Sequence, residues 1–404
     1  MHRSPIPQNP AEKNTFYIDT VRQGMDGLIH PLMDSLFLII AIRFFSVGDF
    51  WKALISAAGF IGYLLSAPLV SFVNTGLHRR SRVLAGLTGL VALCLILAAF
   101  SPSAIFFALA ATCVGTFVNI RQPFFTDLYR AAYSEDLRAR RISVGLRINL
   151  VVALLAGFAY GKFLDTQLAS WPFLLLFVAL VFLLCAFLLA LLPGLGEQPE
   201  KKQAQKPTIS PLKAFKNPMF LYVQAAWMLV GFGNLWTLPL RAVYLTEEGR
   251  GLGFSPFLTT MILVVIPAGV RLLVNPLWAR LYRRWSFPLF RLTINLFFAL
   301  GIPLYFFSDS LGWIALASIL FGIGFSGSPF IWQLWVTRIA TSQEVRSYQS
   351  AHAFLAGIRG ILAPFLGLWA LNGLSFLQIG LISGGMILLS ALMMLPLLSA
   401  QRRF

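Results

Sequence analysis

The sequence predicts an all-α polytopic membrane protein, with twelve transmembrane helices in two pseudo-symmetric six-helix bundles. Three observations carry that expectation. Hydrophobic residues make up 58% of the 404-residue chain and charged residues only 12%, too little polar surface to cover a water-facing exterior. Apolar runs long enough to cross a bilayer recur from end to end. The basic residues, 32 against 15 acidic ones for a net charge of +17, collect in alternate connectors.

About twenty residues span a bilayer, since each adds about 1.5 Å to a core about 30 Å thick. Suitable runs lie near 24–45, 51–74, 83–100, 104–126, 143–164 and 171–193. Six more follow at 218–240, 257–278, 288–308, 312–336, 350–371 and 375–397. They are far longer than a barrel strand and do not alternate. The connectors at 101–103, 309–311 and 372–374 are minimal turns, whereas those at 75–82, 127–142, 279–287 and 337–349 are longer and basic. Residues 194–217, with five lysines and three prolines, read as a cytoplasmic linker between an N-terminal bundle, 1–193, and a C-terminal bundle, 218–404.

The charge then acquires a meaning. Twenty-three basic residues fall on the side of both termini and five, Arg43, Lys52, Lys162, Arg241 and Arg250, on the other. That bias is a positive-inside signal. It predicts an integral inner-membrane protein with both termini cytoplasmic, and it accounts for the charge without nucleic acid as a partner. Met1 to Arg22 lacks the pattern of a cleaved secretory signal. Cys94, Cys113 and Cys185 sit in apolar runs and read as packing residues.

The halves repeat. Pro68-Leu69 corresponds to Pro276-Leu277 at an offset of 208, Pro123-Phe124 to Pro329-Phe330 at 206, and Leu155 to Phe158 with Leu362 to Phe365 at 207. Two parallel six-helix repeats place a solute site between them near the bilayer midplane.

At this point the chain resembles the major facilitator superfamily, and uncharacterised bacterial members in particular. The family carries a Gly-x-x-x-Asp-Arg-x-Gly-Arg-Arg signature after its second helix. Here Ser71 to Arg80 keeps the pair Arg79-Arg80, with Ser71 and Thr75 in place of the glycine and aspartate. The counterpart in the second half, Ala279 to Arg284, also lacks the aspartate. Gly157 to Gly161 followed by Lys162 matches the antiporter signature only in part. Tyr129-Arg130, Tyr133 and Arg138 are similar to the cytoplasmic loop of the bacterial members. The resemblance implies a secondary transporter working by alternating access. Its cytoplasmic gate loops would contain Arg79, Arg80, Arg138, Arg283, Arg284 and Arg346.

Candidate solute and proton sites follow from polar residues inside apolar runs, which are costly unless they serve a purpose. Asp26, His30 and Asp34 recur every fourth residue, and each such step advances about 40° around a helix. The stripe suits proton uptake and release, with burial expected at Asp34. The competing reading is that Asp34 pairs statically with a buried arginine. Arg121 and Arg147 lie near cytoplasmic helix ends and are placed either to snorkel or to bind solute. Arg271 and Arg359 lie deeper, opposite Tyr63 and Val152 in the repeat. Either could hold a carboxylate or phosphate through its planar fork. Arg359 could equally pair with Asp34. Asn234, Trp332 and Gln333 are further solute-binding candidates, while Trp332 also suits ordinary helix packing.

Gly322, Gly324 and Gly327 fit the dinucleotide fingerprint by letters but have no preceding strand. No phosphate loop supports ATP-driven transport. Four histidines in separate places, His2, His30, His78 and His352, offer no catalytic set and no metal site. The expected partners are a small-molecule solute and the lipid bilayer, for a monomer without cofactor. The coupled solute carrier is one reading; a facilitative uniporter, an efflux carrier and a non-transporting solute receptor are the others.

Overall fold

The computed structural model describes residues 10–72, 77–133, 135–192, 211–336 and 344–399. Among these the regular structure is helical throughout, with no strand. Helices satisfy their own backbone donors and acceptors, as hydrocarbon surroundings require. The chain divides into two compact units, Met1–Ala204 and Gln205–Phe404, with the division inside the basic linker. Of that linker, Pro211–Lys216 forms a short 3-10 helix, and residues 193–210 lie outside the described residues.

The first unit contains α1 (Lys13–Arg43), α2 (Asp49–Phe72), α3 (Leu77–Ala99), α4 (Ala104–Tyr129), α5 (Glu135–Thr166) and α6 (Trp171–Ala190). The second contains α7 (Pro218–Thr246), α8 (Pro256–Arg284), α9 (Phe287–Tyr305), α10 (Leu311–Leu334), α11 (Val345–Ala370) and α12 (Phe376–Leu392). Eleven segments among the described residues are long and apolar enough to cross a membrane. The long helix α2 occupies the place of the second expected span. Several starts are fixed by caps: the Asn217 side chain accepts from the Met219 and Phe220 N–H groups at 2.9 and 3.2 Å, and Ser375 with Gln378 forms a capping box on α12.

One boundary departs from expectation. The first helix starts well before residue 24, because Asp19, Arg22 and Gln23, polar in sequence, are buried inside the unit. Their charges are neutralised there by one another, which hydropathy alone does not register.

The repeat extends to packing. In the first unit α3 packs on α6 and α4, α2 on α4, and α1 on α5 and α6; in the second α9 packs on α12 and α10, α8 on α10, and α7 on α11 and α12. Each pairing returns six helices later. The breaks repeat too. α1 opens into a turn at Leu28 and Ile29, and α7 at Trp236 and Thr237, at the offset of 208 that relates Pro68 to Pro276. Each break stands just before a proline, Pro31 or Pro239. Proline has no N–H to give the carbonyl four residues back, and its ring crowds that carbonyl. Beyond its break α1 continues as a π-helical turn, Leu32–Leu36.

The dinucleotide-like glycines resolve into packing. A Cβ on Gly322 would stand 2.7 Å from the Val270 Cβ, one on Gly324 2.9 Å from the Phe298 ring, and one on Gly327 2.6 Å from Ile294 Cδ1. The glycines let α10 approach α8 and α9 closely, as small residues do in membranes. Gly322→Leu should therefore lower the thermal stability of the detergent-solubilised protein, with an overpacking cost of about 1–3 kcal/mol. Unchanged unfolding in Gly322→Leu would refute this close approach.

Candidate functional site

The first unit buries a charge-balanced network along α1. Asp19, Arg22, Gln23 and Asp26 share one face by helical spacing. Arg22 Nε and Nη2 donate to Asp19 Oδ1 at 2.9 and 2.7 Å, and Arg22 Nη1 donates to Asp26 Oδ2. Gln23 Nε2 donates to Asp19 Oδ2 at 2.8 Å. From α4, Tyr129 accepts from Arg22 at 2.8 Å and donates to Asp19 at 3.3 Å. Arg121, fully buried, donates to the other oxygen of Asp26 at 3.0 Å and to Thr88 of α3 at 3.2 Å. Arg22 also stacks on Phe125, 3.8 Å from the ring centroid. Two carboxylates thus answer two guanidinium groups.

The second unit does the opposite. Arg291 of α9 and Arg359 of α11 converge on Trp227 of α7. The Arg291 guanidinium carbon lies 3.5 Å from the Trp227 ring centroid, and Arg359 Nη1 donates to the Trp227 carbonyl. Each arginine is only 4% exposed. No carboxylate among the described residues pairs with either, and Arg291 Nη2 and Arg359 Nε have no hydrogen-bond partner there. Room for Arg359 comes from Gly231, one helical turn beyond Trp227, where a Cβ would collide with the guanidinium.

His352 of α11, with 0% exposure, completes the cluster. Its ring is surrounded by Trp227, Trp332 and Trp335 at 5.0, 4.5 and 5.0 Å between centroids. His352 Nδ1 lies 2.9 Å from Gln224 Oε1. An amide oxygen only accepts, so Nδ1–H donates and Nε2 of the neutral ring carries a lone pair. That Nε2 and Gln224 Nε2 also lack partners among the described residues.

A third buried arginine, Arg241, closes the break in α7. Its Nη2 donates to Asn234 Oδ1 at 2.5 Å, to the Asn234 carbonyl at 3.0 Å and to Thr237 at 3.3 Å. All three acceptors are neutral. Its guanidinium stacks on Phe321, 4.4 Å from the ring centroid.

The sequence-predicted residues distribute as follows. Asp26 and Arg121 meet in the first unit, and His30, half-buried, lies in the field of Asp26. Arg121 points inward, bonded to α1 and α3, and does not snorkel; Arg147 is exposed and bonds back to Ser143. Asp34, expected to be buried, is exposed on the π-helical turn, since the wider turn re-aims it. Arg359 and Trp332 meet around His352 and Trp227, whereas Asn234 is held by Arg241. Arg271 is half-buried in α8, and its carbonyl accepts from Ser326 at 3.3 Å.

Of the gate-loop arginines, Arg138 donates to the Tyr133 carbonyl at 3.2 Å. Burial holds the Tyr133 phenol well above its ordinary range. Arg283 and Arg284 are exposed in the last turn of α8. The side chains of Arg79, Arg80, Gln333 and Arg346 lie outside the described residues. Sequence reasoning passed over Asp19, Arg22, Trp227, Gln224, Arg291 and His352 as site residues. The signal for Arg291 was a lone arginine within Phe287-Pro288-Leu289-Phe290-Arg291-Leu292, whose nearness to a helix end made it look cytoplasmic.

Comparison with known proteins gives a consistent family. The sequence pattern of the Major Facilitator Superfamily matches residues 35–364. No curated protein sequence matches. Among solved structures, an aspartate-to-alanine mutant of the nucleoside transporter NupG superposes with a TM-score of 0.77 at 13% identity, over 95% of this chain and 99% of that one. A D-xylose-proton symporter gives 0.69 at 15%, over 95% and 97%. A POT family transporter in complex with a thioalcohol-conjugated peptide gives 0.70 at 15%, over 98% and 99%. At such identities the likeness is one of fold.

The ion-pair network makes a separable prediction. Asp26→Asn leaves Arg121 buried without a carboxylate, and should cost about 3–5 kcal/mol of stability. Asp26→Asn with Arg121→Gln should recover part of that loss. A thermal-unfolding double-mutant cycle measures the coupling, expected at about 0.5–3 kcal/mol; additive effects would deny the pair.

Proposed function

The chain belongs to the major facilitator superfamily, and we propose on that basis that it carries a small polar or anionic solute across the membrane by alternating access. Family membership makes it a transporter, not an enzyme. The observation that carries the choice of solute is the charge asymmetry between the units. The first pairs Arg22 and Arg121 with Asp19 and Asp26. The second buries Arg241, Arg291 and Arg359 with no carboxylate partner among the described residues. Buried unpaired charge costs several kcal/mol, and an anionic solute offsets that cost while it is bound.

In this reading Arg359 and Trp332 contact the solute, with Arg271, Asn234, Gln333 and Arg121 as further candidates. The gate loops contain Arg79, Arg80, Arg138, Arg283, Arg284 and Arg346. The protein resides in the inner membrane with both termini cytoplasmic, as the basic bias of its connectors supports, and works as a monomer.

Transport is coupled to protons through Asp34 and His30. Asp34 stands exposed on a π-helical turn just beyond the Pro31 break, where a carboxylate can exchange a proton. Asp26, the third member of the stripe, is paired with Arg22 and Arg121. Purified protein in proteoliposomes should show saturable solute flux, with accumulation driven by an imposed pH gradient. Asp34→Asn should retain exchange of solute but lose gradient-driven accumulation by about tenfold or more, the scale of losing one essential ionisable group. Full accumulation in Asp34→Asn would refute its role, and accumulation indifferent to pH would favour a facilitative carrier.

A further inference from the structure

We propose that Arg291, Arg359 and His352 form, around Trp227, a single anion-binding site within the second unit. Its ligand is an organic anion that carries a hydroxyl or other hydrogen-bond donor beside its carboxylate or phosphate. The inference rests on the transporter reading and adds the residues and the ligand chemistry.

The argument is one of unmet polar atoms. Arg291 Nη2, Arg359 Nε, Gln224 Nε2, Trp227 Nε1 and Trp335 Nε1 are buried donors with no partner among the described residues. Arg291, Arg359, Trp227, Gln224 and His352 all come from α7, α9 and α11, and the rings of Trp227 and Trp335 both flank His352. Buried donors are ordinarily satisfied. A cluster of them around two like charges calls for a ligand rich in acceptors. The two guanidinium groups lie in each other's field, so the pair by itself supplies only repulsion. A carboxylate or phosphate turns that repulsion into attraction, and guanidinium forks fit its geometry.

His352 sharpens the class. With Nδ1–H committed to Gln224, the neutral ring offers Nε2 as an acceptor. A bare anion has no hydrogen to give it; a hydroxyl beside the anionic group does. The tryptophan rings supply an apolar wall for the carbon skeleton, in keeping with solute sites generally. The residues span a range of depths. Arg291 is four residues along α9 from Phe287, His352 seven along α11 from Val345, Trp227 nine along α7 from Pro218, and Arg359 fourteen along α11, about 6, 10, 14 and 21 Å at 1.5 Å per residue. Each helix crosses a core about 30 Å thick.

The test uses the full-length protein in detergent, read by thermal stability and by tryptophan fluorescence. The probes are lactate, propionate (the same acid without the hydroxyl), inorganic phosphate and neutral xylose. Lactate or phosphate should raise the melting temperature, and lactate should bind more tightly than propionate. Arg291→Gln and Arg359→Gln should each weaken anion binding by about 10- to 100-fold, the scale of one charged hydrogen bond. His352→Leu should abolish the preference for lactate over propionate and leave propionate binding intact.

Because each arginine is an uncompensated cation, Arg291→Gln and Arg359→Gln should leave the ligand-free melting temperature unchanged or raised. A purely structural pair would lower it. Gly231→Ala, which keeps every charge but displaces the Arg359 guanidinium, should weaken anion binding as Arg359→Gln does. No stabilisation by any of the anions overturns the site, as does stabilisation unchanged in both glutamine variants. Xylose binding with saturable flux in those variants would remove the site and keep the transporter reading; no flux of any solute would remove both.

Discussion

A guanidinium group in hydrocarbon needs an answering acceptor, and much of this chain is organised by how that need is met. In the first unit the answer is internal. Asp26 reaches Arg22 with one oxygen and Arg121 with the other, so α1 and α4 are tied together at a charged core. In the second unit the corresponding interior holds aromatic rings, a histidine and two arginines. Rings, amides and carbonyls take part of the load there through stacking and neutral hydrogen bonds. The remaining donors are left for something outside the chain.

Backbone chemistry sets where these groups sit. Pro31 and Pro239 interrupt α1 and α7 at equivalent places, with different consequences. In α7 the Asn234 carbonyl is taken by Arg241 and Thr237. In α1 the chain passes into a π turn on which Asp34 is exposed. The same sequence event thus produces an arginine-capped break in one half and an exposed carboxylate in the other. The two halves share a scaffold, and the side chains nearest the breaks differ.

The fold was legible because lipid imposes a coarse rule: long apolar runs, short turns and basic loops on one side. Span order and the two-unit division needed only composition and periodicity. The site was less legible, because direction and partnership are tertiary. Arg22 and Arg291, counted by position as cytoplasmic charges, turn inward onto Asp26 and Trp227. Asp34, at mid-helix in the sequence, is exposed because a π turn shifts its bearing. Trp227 and His352 stand out in no sequence pattern, and they pack among other rings; their unpaired nitrogens mark them as more. The Pro31 and Pro239 correspondence was present in the letters, and the packing that repeats six helices later shows why it matters.

Gly231 gives the second unit an unusual kind of adjustability. The charge of Arg359 belongs to α11, but its position is set by an absent side chain on α7. Selection can therefore re-aim the cation without touching it, by single-nucleotide steps from a glycine codon to alanine or serine. Relatives that differ at this one position would present the same arginine to differently shaped solutes. Substrate range in such a lineage would drift by steering a fixed charge, a gentler path than gaining or losing one in the bilayer.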